Sequence, residues 1–165
     1  MHILHRRKVR CLYLNKQNIS RAYAVIEGGE AYPDIKGRFM LRAAPQGVVV
    51  SVTVTGLPGR EGACAGGFLG FHIHEGGSCT GSAIEPFGNT GSHYNKNNCT
   101  HPYHAGDMPP LLNAGGIATM SFLTDRFTVG EVIGKTVVIH SGPDDFKSQP
   151  AGNSGMKIAC GVIKG

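Results

Sequence analysis

Six of the eight histidines fall between residues 72 and 140, and their spacing constrains the fold more than any other feature. GFHIHE contains two of them, GSHYNKNNCTHPYHAGD contains three, and KTVVIH ends on the sixth. With one nearby aspartate they form a candidate ligand set: His72, His74, His93, His101, His104, Asp107 and His140. Zinc takes four ligands, so seven candidates suit two metals that share one of them. Two strands and one long loop are therefore predicted to meet at one place.

The first group of candidate ligands lies on predicted strands. In a strand, residues i and i+2 point to the same side, so His72 and His74 can bind one ion while Ile73 enters the opposite face. His140 ends another strand on the same face as Val138, which makes it a third fixed ligand. Ligands that are fixed on strands impose their geometry on the ion, and this favours a redox metal such as copper.

The second group lies on a glycine-containing loop. His101, His104 and Asp107 can close tetrahedrally around an ion with one more ligand. Histidine and carboxylate without thiolate fit zinc. His93 lies between the two groups and could use one ring nitrogen for each ion. The ordinary alternative, unrelated core or surface histidines, fits this arrangement poorly.

The rest of the sequence favours an all-β fold. Apolar residues alternate with polar ones along VVVSVTVT, which is typical of a half-buried antiparallel strand. Six other segments read as strands, and only TVGEVIG suggests a helical turn. We predict a flattened Greek-key β-barrel or immunoglobulin-like β-sandwich of about eight strands. Two segments, roughly 75–114 and 141–156, are too long for simple connections and are expected to be functional.

The positive net charge comes from one end of the chain. Residues 1–21 hold six of the 16 lysines and arginines and no acidic residue. They are predicted to form a disordered basic arm, followed by one domain, 22–165, with ten basic and eleven acidic residues. This balance gives little support to a nucleic-acid partner. No segment is long enough to span a bilayer, and the leader does not read as a secretory signal. The compartment stays open, since a natural export segment could be missing.

Several motifs together resemble the copper/zinc superoxide dismutase family, in its bacterial form. They are GFHIHE, GSHYN, HAGD, VVIH, the DD at 144–145 and GNSGMKIACGVI, and the resemblance runs from about Ala22 to Val162. It implies that copper is bound by His72, His74, His93 and His140, and zinc by His93, His101, His104 and Asp107. It also implies that Asp144 joins the outer sides of His72 and His101. Asp144 could instead be an ordinary turn acid.

The resemblance also implies an activity. Members of the family disproportionate superoxide to dioxygen and hydrogen peroxide by Cu(II)/Cu(I) cycling beside a structural zinc. In that mechanism His93 bridges the metals and delivers a proton. Lys157 stands where the family usually carries an arginine, so it keeps the positive charge but loses the planar fork; it could also be a solvated loop residue. A non-catalytic metal-binding protein of the same fold is the alternative, and the sequence leaves monomer and homodimer open.

The resemblance implies a disulfide between Cys79 and Cys160, although free thiols remain an alternative because no export signal is visible. The chain has five cysteines, so at least one is outside an internal disulfide. Cys99, two residues before His101, could be a competing zinc ligand, a partner for Cys64 or a free thiol, of which we favour the last. Cys11 lies in the arm and is assigned no structural role.

Overall fold

The computed structural model describes residues 19–59 and 67–165. In this part of the chain there are nine strands: β1 Arg21–Gly28, β2 Lys36–Ala44, β3 Gly47–Thr55, β4 Gly67–Leu69, β5 Phe71–His74, β6 Leu111–Asn113, β7 Ala118–Thr124, β8 Thr136–His140 and β9 Lys157–Val162. A 3₁₀ turn covers Gly88–Thr90, and a short helix covers Val129–Val132. None of the helices in the described ranges has the length and apolar character needed to cross a membrane.

Most of the predicted basic arm lies outside the described residues, so its predicted disorder stays a prediction. Its last three residues, 19–21, are described: Ile19 packs against the core, and the carbonyl of Ser20 accepts from the N–H of Ala43. Arg21 is the first residue of β1 and pairs with Arg42 of β2. The first strand therefore begins one residue before the predicted boundary at Ala22.

Seven strands form one antiparallel sheet in the order β5-β8-β9-β1-β2-β3-β7, and β4 pairs with β6 in a second, small sheet. Phe39 of β2 and Phe71 of β5 lie four strands apart in this order. Their rings nevertheless pack edge to face, with centroids 5.9 Å apart. The sheet must curl on itself to bring them together, and this confirms the predicted all-β, barrel-like architecture.

The core follows from the alternation seen in the sequence. The four alternate valines of β3 are buried: Val48, Val50, Val52 and Val54. On the outer face of the same strand, the hydroxyls of Ser51 and Thr53 hydrogen-bond to those of Ser121 and Thr119 on β7. Complete burial of such an aliphatic side chain contributes roughly 1.5–3 kcal/mol relative to exposure. The apolar face therefore fixes which side of the sheet turns inward.

Two details differ from the sequence-based prediction. The segment GFLGFHIHE was expected to be one strand, but it divides at Gly70 into β4 and β5. The N–H of Gly70 donates to the carbonyl of Gly142, and a Cβ at Gly70 would lie 2.7 Å from the Cβ of Ser154. Strand β6, in turn, lies within the segment predicted as a long loop. Both departures depend on partners distant in sequence, which local alternation does not report.

The helical turn predicted around TVGEVIG is confirmed by the helix Val129–Val132. Thr128 caps it: the backbone N–H of Thr128 donates to Glu131, whose carboxylate also accepts from the Thr128 hydroxyl. The same carboxylate accepts a hydrogen bond from Lys96, which lies in the long loop after β5. This helix therefore ties the long loop to the barrel.

Candidate metal centre

The predicted ligands meet on the outer face of the sheet, opposite the side of β5 and β8 that enters the core. His72 and His74 lie on β5, and His140 ends β8, which pairs with β5. The ladder between β8 and β9 shifts register between Ile139 and His140, so the last residue of β8 departs from the regular pairing. Ile73 is buried in the hydrophobic core, as predicted. The strands therefore supply a rigid platform for three imidazoles.

Two groups of buried side chains have potential ligand atoms within 4.8 Å of one another. One group consists of His72, His74, His93 and His140, and the other of His93, His101, His104 and Asp107. His93 is common to both. These are the two overlapping sets of four that the spacing predicted.

The hydrogen bonds of His74 and His140 show which ring nitrogens are free. Nδ1 of His74 donates to the carbonyl of Gly91 at 2.8 Å, and Nδ1 of His140 donates to that of Gly155 at 3.3 Å. Because a carbonyl only accepts, Nδ1 must carry the proton in each neutral ring. The two Nε2 lone pairs then face each other at 3.3 Å, where they cannot hydrogen-bond to one another. A cation bound by both nitrogens would remove the repulsion between their lone pairs.

Asp144 bridges the outer sides of the two groups, as the resemblance implied. Its Oδ2 accepts from Nε2 of His72 at 2.7 Å, and its Oδ1 accepts from Nε2 of His101 at 2.9 Å. Burial alone would raise the pKa of Asp144, but hydrogen bonds from His72, the Phe146 N–H and His101 outweigh it and lower that pKa. An ionised Asp144 holds both Nε2 atoms protonated, so both Nδ1 atoms keep a lone pair.

His93 connects the groups through its two nitrogens. Its Nδ1 lies 2.7 Å from Oδ1 of Asp107, and its ring stacks on that of His72 with centroids 4.0 Å apart. The other oxygen of Asp107 accepts from the backbone N–H of His104 at 2.9 Å. This bond orients the carboxylate toward the loop histidines.

Four buried ring nitrogens make no hydrogen bond of acceptable geometry: Nδ1 of His72, Nε2 of His93, Nδ1 of His101 and Nδ1 of His104. The last two lie 3.1 and 3.3 Å from Oδ2 of Asp107, as ligands of one ion would. Leaving one buried polar atom unpaired costs about 1–3 kcal/mol, so four at one place need an explanation. These atoms belong to the two ligand groups, and imidazole and carboxylate suit zinc while imidazole suits copper. The residues present therefore fit two metal ions.

Burial also favours the neutral form of His74 and His140. Burial lowers the pKa of His140 to about 3, aided by the neighbouring His72. The pKa of His74 lies well below its ordinary value, mainly through burial and secondly through His93. A metal binds the neutral ring, so these histidines need not lose a proton near neutral pH before an ion enters.

Lys157, the first residue of β9, lies beside the first ligand group. Its Nζ donates to the carbonyl of Gly91, the same oxygen that accepts from His74, at 3.3 Å. It also forms an ion pair with Glu85 at 3.3 Å. The side chain of Lys157 is 15% exposed and that of Glu85 is 65% exposed. The sequence did not indicate Glu85 as a partner of this lysine.

The predicted disulfide between Cys79 and Cys160 is present, and it links the loop after β5 to β9. Its sulfurs pack with Phe87 and Val138 in a small buried cluster. Cys99 is a free, exposed cysteine and belongs to neither ligand group. Cys11 and Cys64 lie outside the described residues.

Three side chains that support the loop after β5 were not identified from the sequence. Arg126 donates from Nη1 to the backbone carbonyls of Pro102, His104 and Asp107, at 3.0–3.3 Å. Glu75 accepts from the backbone N–H of Asn95 and from Lys135. Gln149 hydrogen-bonds to the backbone of His101. Each has a partner at least 19 residues away, so no local signal marked it.

The geometry agrees with comparisons to known proteins. The profile of the family "Copper/zinc superoxide dismutase (SODC)" matches residues 35–163. Superoxide dismutase [Cu-Zn] 2 of Aquifex aeolicus is 35% identical over 146 residues, covering 79% of this chain and 80% of that protein. Superoxide dismutase [Cu-Zn] of Deinococcus radiodurans is 32% identical over 149 residues, covering 79% and 78%.

A similar fold is found in a crystal structure of a double mutant of a SOD-like protein from Bacillus subtilis. It aligns with a TM-score of 0.68 and 27% identity, covering 87% of this chain and 97% of that one. The structural match, the family profile and the two relatives therefore indicate the same family. The chain belongs to the copper/zinc superoxide dismutase family.

Proposed function

We propose that this protein is a superoxide dismutase that converts superoxide to dioxygen and hydrogen peroxide. One observation carries the proposal: two buried groups of four potential ligands share a single histidine, His93. The two relatives, at 35% and 32% identity, are named superoxide dismutases, and this supports the proposal. The complete ligand set and the cation of Lys157 favour an enzyme over a protein that only stores or delivers metal.

The proposed metals follow from the chemistry of the two groups. The group of His72, His74 and His140 is fixed by two paired strands and contains only imidazoles, which suits copper. The group of His101, His104 and Asp107 lies on a loop and includes a carboxylate, which suits zinc. When bound, copper supplies one-electron redox chemistry and zinc supplies a fixed positive charge. The carbonyls of Gly91 and Gly155 hold the outer nitrogens of two copper-side rings.

His93 is proposed to move the proton that the reaction needs. Its Nε2 belongs to the first group and has no hydrogen-bond partner, while its Nδ1 is held at Asp107. A ring fixed at one nitrogen can take up and release a proton at the other without losing its position. Hydrogen peroxide formation consumes two protons per molecule, so a proton held at this atom is placed for use.

Lys157 is proposed to attract the substrate. Superoxide is a small anion, and a positive charge beside the site raises its local concentration; the handling of superoxide by its dismutase is an established example of such steering. The shared carbonyl of Gly91 links the ammonium group to the ring of His74, which places the charge beside the first group. Glu85 offsets part of this charge.

The test combines metal analysis with a superoxide-consumption assay on the purified chain. The wild type should hold two metal ions per chain and consume superoxide. His104→Ala should lose zinc but keep much of the copper, and His74→Ala should do the reverse. Cys99→Ser is a matched control, because this cysteine lies in the zinc loop but outside both groups; it should keep both metals and full activity.

Two results would count against the proposal. A single ion in the fully loaded wild type would contradict the two-metal centre. Two ions without superoxide consumption would favour the alternative, a non-catalytic metal-binding protein of the same fold. Loss of zinc in Cys99→Ser would show that this thiol is a zinc ligand, contrary to its exposed position.

A further inference from the structure

Gln149 lies in the segment between β8 and β9. Its side-chain amide forms hydrogen bonds both within this segment and to the long loop after β5. Its Nε2 donates to the carbonyl of His101 at 2.7 Å, and its Oε1 accepts from the N–H of the same residue at 3.0 Å. Nε2 also donates to the carbonyl of Lys147 at 3.3 Å. A glutamine amide offers two donors and one acceptor oxygen, so all of them are used. An exposed glutamine with only a solvation role would not pair with both backbone groups of one residue.

The segment that carries Gln149 is itself closed by hydrogen bonds. The carboxylate of Asp145 accepts from the N–H and the hydroxyl of Ser148. The N–H of Asp145 donates to the carbonyl of Gly152 at 2.9 Å, and the N–H of Gly152 donates to that of Ser148 at 2.8 Å. Asp144 and Gln149 thus stand at fixed positions on one compact turn.

Gly152 shows how tightly this turn packs on the metal centre. Its φ is +68°, which favours glycine. A Cβ there would lie 2.1 Å from Oδ1 of Asp144 and 2.6 Å from Nε2 of His101. The turn therefore approaches His101 too closely for any side chain at this point.

His101 is consequently held at three atoms. Asp144 holds Nε2 of the ring, while Gln149 holds the backbone N–H and the carbonyl. The remaining ring nitrogen, Nδ1, is buried, makes no hydrogen bond of acceptable geometry and lies 3.1 Å from Oδ2 of Asp107, another member of the second ligand group. One hydrogen bond at Nε2 leaves the ring free to move with its loop, whereas fixing the backbone as well sets the position of Nδ1.

We infer that Gln149 is a positioning residue for the zinc ligand His101. It sets how firmly zinc is retained, a role that rests on the proposed function of the second ligand group. Gln149 has no hydrogen bond to His72, His74 or His140, so it should act on zinc and not directly on copper. Loss of a residue that orients a metal ligand typically costs 10- to 100-fold in affinity. Because Gln149 is exposed, we expect the lower end, about tenfold.

The experiment measures zinc release from the fully loaded protein to a coloured chelator, with copper content followed in parallel. Gln149→Ala removes both hydrogen bonds. Gln149→Glu keeps the size and an acceptor for the His101 N–H, but it places a carboxylate oxygen against the His101 carbonyl. Both variants should release zinc about tenfold faster than the wild type, with copper retention unchanged. Cobalt placed in the zinc site should show an altered visible spectrum in both.

Gln46→Ala is the matched control, because this glutamine is exposed in the turn between β2 and β3; it should release zinc like the wild type. Wild-type zinc release in Gln149→Ala and Gln149→Glu would overturn the inference. Fast release from Gln149→Ala but not from Gln149→Glu would also overturn it, since packing alone would then suffice. Equal loss of both metals with loss of the circular dichroism of the fold would show a general structural role instead. Absence of zinc from the wild type would refute the proposed function itself, which is a separate result.

Discussion

Asp144 offers the sharpest quantitative test of the metal centre, through the substitution Asp144→Asn. The side chain is 1% exposed and accepts hydrogen bonds from His72 and His101 at 2.7 and 2.9 Å. An amide of the same size keeps one acceptor oxygen but replaces the other with an NH₂ group. That NH₂ group must face the Nε2–H of either His72 or His101. The hydrogen bond to that ring is then lost, and two donors face each other.

A hydrogen bond to a charged group contributes about 1.5–3 kcal/mol. Since 1.4 kcal/mol corresponds to a factor of ten, losing one should weaken metal binding by roughly 10- to 150-fold. The loss should be larger for zinc than for copper. His72 is fixed by the pairing of β5 with β8, whereas His101 lies on a loop and depends more on its side-chain anchors.

The measurement is a competition titration of each metal against a chelator of known affinity, with the wild type alongside. Asp34→Asn is the matched control, because this exposed carboxylate lies between β1 and β2 and makes no side-chain hydrogen bond to any of the seven ligands. It should bind zinc within about twofold of the wild type. Wild-type zinc affinity in Asp144→Asn would refute the conclusion that this carboxylate orients the ligands.

Two further predictions concern the substrate entrance and the disulfide. Lys157→Ala should keep both metals, lower the rate and flatten its dependence on salt, which screens such attraction over about 10 Å at 0.1 M; Lys157→Arg should equal or exceed the wild type. Glu85→Gln should raise the rate, because it removes the carboxylate that offsets part of the Lys157 charge; unchanged rates and salt slopes in these variants would contradict the steering role. Replacing Cys79 and Cys160 by serine should lower the free energy of unfolding by roughly 4.5 kcal/mol in the chain-entropy model, since the two residues are 81 apart. Denaturant titration measures this loss, and a loss below about 1 kcal/mol would contradict that estimate.

Much of the fold and the ligand set could be predicted from the sequence, because both depend on local periodicity. Alternation along β3 places Val50 and Val52 inside and Thr53 outside, as observed. Because His72 and His74 are two residues apart, their side chains point to the same side of any strand that contains them. The grouping of His101, His104 and Asp107 follows similarly from their separation of only three residues each.

The tertiary structure alone decided how each ligand is held. The sequence does not specify which ring nitrogen stays free, because this depends on whether a distant carbonyl or carboxylate reaches the other one. Gln149 lies 48 residues from His101, and Glu85 lies 72 residues from Lys157. Such contacts form only when two loops take compatible backbone paths, and no repeating pattern encodes that compatibility. Local periodicity therefore determined the ligands, whereas long-range hydrogen bonds determined their orientation.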